Sequence, residues 1–153
     1  MAIISAYPVG TPAAGDYLVG SDITTAGTQL NPTKNFVISQ VVATGLGYTA
    51  YASILTQAGA VAPTEVVLKN GTVATMTWAR TGAGVYTCTA SSAIFTANKT
   101  IVFINNGNPV SDGLPPKWTR TSNTAITIST KDETAVADDG LLTEASFEIR
   151  IYD

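Results

Sequence analysis

Apolar and polar positions alternate with a period of two over short spans through most of this chain. In SFEIRIY (146–152), Phe147, Ile149 and Ile151 interleave with Glu148, Arg150 and Tyr152, the pattern of a strand with one buried face. In TVATMTWAR (72–80), Ala74, Met76 and Trp78 share one face while Val73, Thr75 and Thr77 share the other. Further strand-like runs are YTAYASILT (48–56), TEVVLKN (64–70), VYTCTA (85–90), KTIVFIN (99–105) and NTAITIST (123–130). KTIVFIN is almost wholly apolar, which predicts a central strand covered on both faces. Asn70-Gly71 joins TEVVLKN to TVATMTWAR and predicts a two-residue hairpin. Helical periodicity is almost absent.

Short strands broken by Gly, Asn, Pro and Asp predict an all-β fold, an antiparallel β-sandwich of jelly-roll-like form over residues 46–153. Within it, NGNPVSDGLPP reads as a loop leading into KWTR (117–120). Ahead of it lies a smaller unit, residues 1–45, with two apolar runs, DYLVGS and NFVISQV, either side of a polar, Thr-rich segment. Two strands are marginal alone in water, so the unit is expected to pair with a partner's sheet edge or a neighbouring copy. The alternative is that its strands complete the main sheets. TGLG (44–47) is the natural hinge.

Composition adds the surface. Of 153 residues, 45% are hydrophobic and only 12% charged, about half the usual charged share. Thr, Ala, Ser, Gly and Asn take the place of the missing charges, a surface suited to burying sheets side by side. A net charge of −3 without a basic cluster argues against nucleic acid and anionic membrane as partners. No apolar run approaches the roughly 20 residues of a membrane span, so membrane insertion is not expected. The start, MAIISAYPVG, lacks the pattern of a signal peptide, and synthesis in the cytoplasm is the expectation.

Candidate chemistry is sparse. The chain has no His, which removes Ser-His-Asp, Cys-His and His-based metal sites. No phosphate-cradling glycine loop is present. The lone Cys88 lies in a strand-like alternation and reads as a small core residue. Carboxylates remain: Asp132, Glu133, Asp138 and Asp139 cluster in KDETAVADDG, with Glu144 and Glu148 beyond. They read as a solvated loop. Calcium binding by the loop 131–140 stays open, although DxDxDG spacing is missing, and so does a two-carboxylate hydrolase. No cofactor and no metal site is predicted. Trp118, flanked by Lys117 and Arg120, is either a strand-start core residue or a surface-ligand contact. Trp78 reads as core.

TPAAGDYLVGSD followed by TKNFVISQV resembles the short N-terminal segments of bacteriophage fibre and appendage proteins. There, a strand of the form Gly-Asp-apolar-apolar-Gly-Ser-Asp and a strand of the form Thr-Lys-Asn-Phe-apolar-Ser precede the distal part. APTEVVLKNG, TMTWARTGAGVYTCTA, FTANKTIVFINNG and DGLLTEASFEIRIY are similar to a sandwich domain of phage virion proteins. The motifs cover most of the chain and are moderately specific, since only their order is distinctive. The resemblance implies a non-enzymatic virion protein, a head fibre or capsid decoration protein. It further implies a homotrimer bound to other virion proteins of capsid or tail through Asp16, Tyr17, Leu18, Val19, Lys34, Asn35 and Phe36. A tail-fibre or carbohydrate-binding adhesin is the alternative, contacting a host surface glycan through Lys117, Trp118 and Arg120.

Overall fold

Period-two runs become strands wherever one of their faces has an apolar set to bury. The structure, a computed structural model, describes residues 13, 15–21, 33–38, 41, 45–109 and 113–152. The chain divides into two compact units, Met1–Gly47 and Tyr48–Asp153. In the first, β1 (Tyr17–Ser21) and β2 (Thr33–Val37) pair antiparallel, with Tyr17 opposite Val37 and Leu18 opposite Phe36.

The second unit is an antiparallel β-sandwich. Its strands are β3 (Tyr48–Thr56), β4 (Thr64–Asn70), β5 (Met76–Gly82), β6 (Val85–Ala90), β7 (Thr100–Ile104), β8 (Gly113–Arg120), β9 (Ala125–Asp132) and β10 (Ala145–Tyr152). One four-stranded sheet runs β4-β3-β10-β7 and the other β5-β6-β9-β8. Inward residues of both meet in one core that includes Tyr51, Leu55, Tyr86, Cys88, Ile126, Ile128, Phe147 and Ile149. Trp78 of β5 meets Phe147 of β10 edge-on across the sandwich, 5.1 Å between ring centres, a favoured aromatic geometry. Burial pushes the Cys88 thiol up to about 12, with the nearby Glu65 charge adding to the shift.

Three expectations are corrected. Asn70-Gly71 makes no hairpin: β4 and β5 lie in different sheets. The Gly71 amide instead bonds the Ala50 carbonyl at 2.9 Å, extending the β3 ladder. A Cβ on Gly71 would lie 2.9 Å from that same oxygen. Asn70 Nδ2 then donates to the Ala74 carbonyl at 3.0 Å as the chain crosses to the other sheet. KTIVFIN is not central, because β7 is an edge strand with Ile101 41% and Phe103 49% exposed. Pro115 and Pro116 belong to β8 rather than to a loop. Both are tolerated because β8 is an edge strand whose register shifts between Leu114 and Lys117, the places where a strand accommodates proline.

Candidate functional site

Three places in the molecule could carry function: the small hairpin, the loop of acids, and the outer faces of the two sheets. In the hairpin, Asp16 sets the entry. Its Oδ2 accepts the Ala13 amide at 2.7 Å and its carbonyl accepts the Ile38 amide at 2.9 Å. Register turns Tyr17 and Val19 to one side and Leu18, opposite Phe36, to the other. Tyr17, Leu18 and Val19 are all exposed, as is Asn35, while Phe36 is half-buried. The Lys34 side chain lies outside the described residues.

Lys117, Trp118 and Arg120 do not converge. Lys117 lies opposite Ser129 on the outer side of β8, whereas Trp118 and Arg120 lie opposite the buried Ile128 and Ile126. Trp118 packs against the core. Arg120 Nε donates to the Phe95 carbonyl at 2.7 Å, and its other arm reaches Asn123 Oδ1. Lys117 lines a shallow groove with Lys131, Ser129, Leu114, Pro115 and Ala135.

The acidic loop is not uniformly solvated, and this corrects the sequence expectation. Glu133 and Asp138 are exposed. Asp132 is tied to its own turn: its Oδ1 accepts the Thr134 hydroxyl at 2.8 Å and the Thr134 and Val136 amides at 2.9 Å each. The Thr134 hydroxyl, and after it the Val136 amide, hold its carboxyl below the usual range. Asp139 is clamped. Arg80 grips it with Nε at 3.0–3.1 Å and Nη2 at 2.6 Å, the Gly84 amide donates at 3.0 Å, and the Tyr86 hydroxyl at 2.8 Å. Arg80, opposed by burial but joined by Gly84 and Tyr86, holds the Asp139 carboxyl down at about 2.

Behind it the buried Tyr86 and Gln57 share a hydrogen bond of 3.0 Å, and Gln57 Oε1 also accepts the Gly140 amide. The loop is thereby fastened to the sandwich. Gly84 is required there: its φ is +60°, and a Cβ would sit 2.7 Å from the Asp138 amide nitrogen. Among the described residues, no three His, Cys, Asp or Glu side chains gather as a metal-binding cluster.

Another carboxylate does bridge the two sheets. Glu65 Oε2, on β4, accepts the Tyr51 hydroxyl at 2.6 Å and the Trp78 indole N–H at 3.0 Å. Burial, then the Glu65 bond, pushes the Tyr51 hydroxyl well above the ordinary phenol range.

The outer faces differ. On the second sheet, register lines up Ala79, Thr87, Thr127 and Thr119 in one outward row and Thr77, Thr89 and Ala125 in the next. On the first, the rows are Lys69, Ala52, Glu148 and Phe103, then Ala50, Arg150 and Ile101, then Tyr48 and Tyr152. Arg150 lies over Phe103 at 4.8 Å and over Tyr48 at 5.1 Å, and pairs with Glu148 at 2.6 Å. Tyr48 continues to Tyr152, 5.3 Å between ring centres. Sequence reasoning missed this ladder, because Arg150 and Phe103 are 47 positions apart by numbering (150 − 103) and meet only through the pairing of β10 with β7. The signal available was the apolar outward set of KTIVFIN.

Among the described residues no helix is long and apolar enough to cross a membrane. Compared with known proteins, the chain matches no family model, no curated protein and no solved structure.

Proposed function

We propose that this chain is a non-enzymatic structural protein of a bacteriophage particle, a trimeric head fibre or decoration protein attached to the virion by its N-terminal segment. One observation carries the reading. The compact first unit presents a two-stranded hairpin in which consecutive apolar residues, Tyr17, Leu18 and Val19, are exposed. Such a hairpin is marginal in water and gains stability when a partner's sheet edge or apolar surface covers it. In the attachment role, Tyr17, Leu18, Val19 and Phe36 supply the contact, Asp16 shapes the entry, and Lys34 and Asn35 flank it. The sandwich then projects from a capsid or tail protein. The sequence resemblance to phage appendages points the same way.

The test is co-sedimentation with particles purified from a strain lacking the chain. Added full-length protein is expected to pellet with them, and Tyr17→Ser/Val19→Ser to stay in the supernatant with its sandwich still folded by circular dichroism. Equal pelleting of both would remove the hairpin's role. Absence of the chain from complete wild-type particles by mass spectrometry would overturn the reading.

A further inference from the structure

We infer that the outer face of the first sheet, β4-β3-β10-β7, is the surface through which copies of this chain pack on one another. The inference rests on the reading of the chain as self-assembling and adds a pairwise contact beside the one that joins three copies, since a face that complements itself closes on one neighbour. An antiparallel sheet with one face in the core ordinarily turns polar residues to water on the other. The second sheet obeys across its rows of Thr, with Leu114 of the edge strand β8 turned outward beyond them. The first does not. Val66 is 64% exposed, Phe103 49% and Ile101 41%, and register places all three on the same outward side as Ile54, Tyr48 and Tyr152. Contiguous exposed apolar surface of this kind marks interaction sites. The Phe103–Arg150–Tyr48–Tyr152 ladder supplies the aromatic and Arg side chains that dominate binding energy when desolvated.

The occupant is another copy because the charges on this face complement themselves. In the middle of this face, on β10, the charged side chains are Glu148 and Arg150, one acid and one base two residues apart, while Lys69 on β4 and Lys99, opposite Tyr152 just before β7, lie on its two edges, where a long side chain keeps its ammonium in water. When two such faces meet, Arg150 of one copy can take Glu148 of its neighbour while Glu148 is taken in turn. Each face then exchanges its internal pair for intermolecular ones and leaves no charge buried alone, the condition for desolvating charges without a large penalty. A partner without a matching doublet would leave only the internal Glu148–Arg150 pair, with no charge contact across the interface to direct it. Four strands about 4.8 Å apart, each several residues long at about 3.4 Å per residue, give a flat footprint of roughly 20 by 25 Å. At about 500 Å² per face this is the size of a weak, concentration-dependent contact, below the ~800 Å² per partner of a standard interface. Sheet faces of this composition pack about 10 Å apart with aligned strands.

The experiment measures solution mass of the full chain by light scattering, from micromolar to submillimolar concentration. Wild type is expected to associate. Glu148→Arg leaves two bases in the middle of every face and Arg150→Glu two acids, so each variant alone is expected to associate at least tenfold more weakly. An equimolar mixture of the two is expected to reassociate, because basic centres then meet acidic ones. Wild type that remains monomeric, single variants that associate like wild type, or a mixture no tighter than its components would each overturn the inference. Should either charge variant fail to fold by thermal melting, Phe103→Lys replaces it with the same expected loss. Thr127→Lys on the other sheet is expected to leave the mass unchanged. Assembly that depends on this face but contains two copies keeps the surface and removes the trimer. A trimer indifferent to every variant of this face keeps the trimer and removes the surface.

Discussion

Across the second sheet the outward central row is Ala79, Thr87, Thr127 and Thr119; across the first it is Lys69, Ala52, Glu148 and Phe103, bordered by Ile101, Tyr48 and Tyr152. Behind both rows lies the same core, to which the first sheet contributes Tyr51, Phe147 and Ile149 and the second Tyr86, Ile126 and Ile128. The contrast teaches that inward burial alone does not explain this sequence. A Thr row satisfies sheet propensity and water together, since the β-branched side chain suits the pleat and its hydroxyl stays hydrated. An Ile and a Phe turned outward on an edge strand satisfy only the first requirement. Edge strands with apolar faces invite association, and here the apolar edge lies beside an Arg–Glu doublet able to direct it.

The largest expected effect tests whether the two inner faces form one core. Ile149→Asp would bury an unpaired charge, a change that costs about 3–5 kcal/mol. Thr127→Asp, on the outer face of the second sheet, gives up strand preference alone and should cost about 1 kcal/mol or less. Urea melts of the two variants make the comparison. Similar losses for both would mean that inner and outer positions have been misassigned.

The next effect sharpens the contrast between loop and sheet. Asp139→Asn weakens the grip of Arg80 and the bond from Tyr86, and losing hydrogen bonds to a charged group costs about 1.5–3 kcal/mol. The sign with pH follows from linkage. Asp139 is held down at about 2, below the ordinary carboxylate range, so its contribution is complete above about pH 4 and is lost as pH falls toward 2. Wild type should therefore lose more melting temperature than Asp139→Asn over that window. Parallel acid curves would show that the clamp does not stabilise the fold.

The smallest effect on stability belongs to the outer face itself. Phe103→Thr makes the first sheet resemble the second, and because Phe103 is about half exposed the monomer should change by about 0.5 kcal/mol or less. Its tendency to associate should nevertheless fall. A large loss of monomer stability in dilute solution would instead make Phe103 a structural residue.

How far the sequence could be read depended on the distance between partners. YTAYASILT, TEVVLKN and VYTCTA became β3, β4 and β6 with the boundaries expected, because alternation and flanking turn residues are local signals. The all-β sandwich followed from them. The role of Asn70-Gly71 was hidden, since a distant carbonyl on Ala50 claims the Gly71 amide and outweighs the local turn preference. The edge position of β7 was hidden too: an apolar run reports what the faces of a strand can bury, not where the strand falls in the order of its sheet. Asp139 looked like any loop acid because its partner Arg80 is 59 positions away. Lys117, Trp118 and Arg120 looked like a cluster, yet alternation along β8 sends the first outward and the other two inward.

Hydroxyl-radical footprinting of the assembled protein against a dilute sample reads both outer faces in one experiment. Labelling of Tyr48, Phe103 and Tyr152 should drop several-fold on assembly, while Leu114 on β8 and the exposed Val136 keep their dilute rates. Unchanged labelling of the three aromatic residues in an assembled sample, or protection confined to the second sheet, would contradict packing through the outer face of the first sheet.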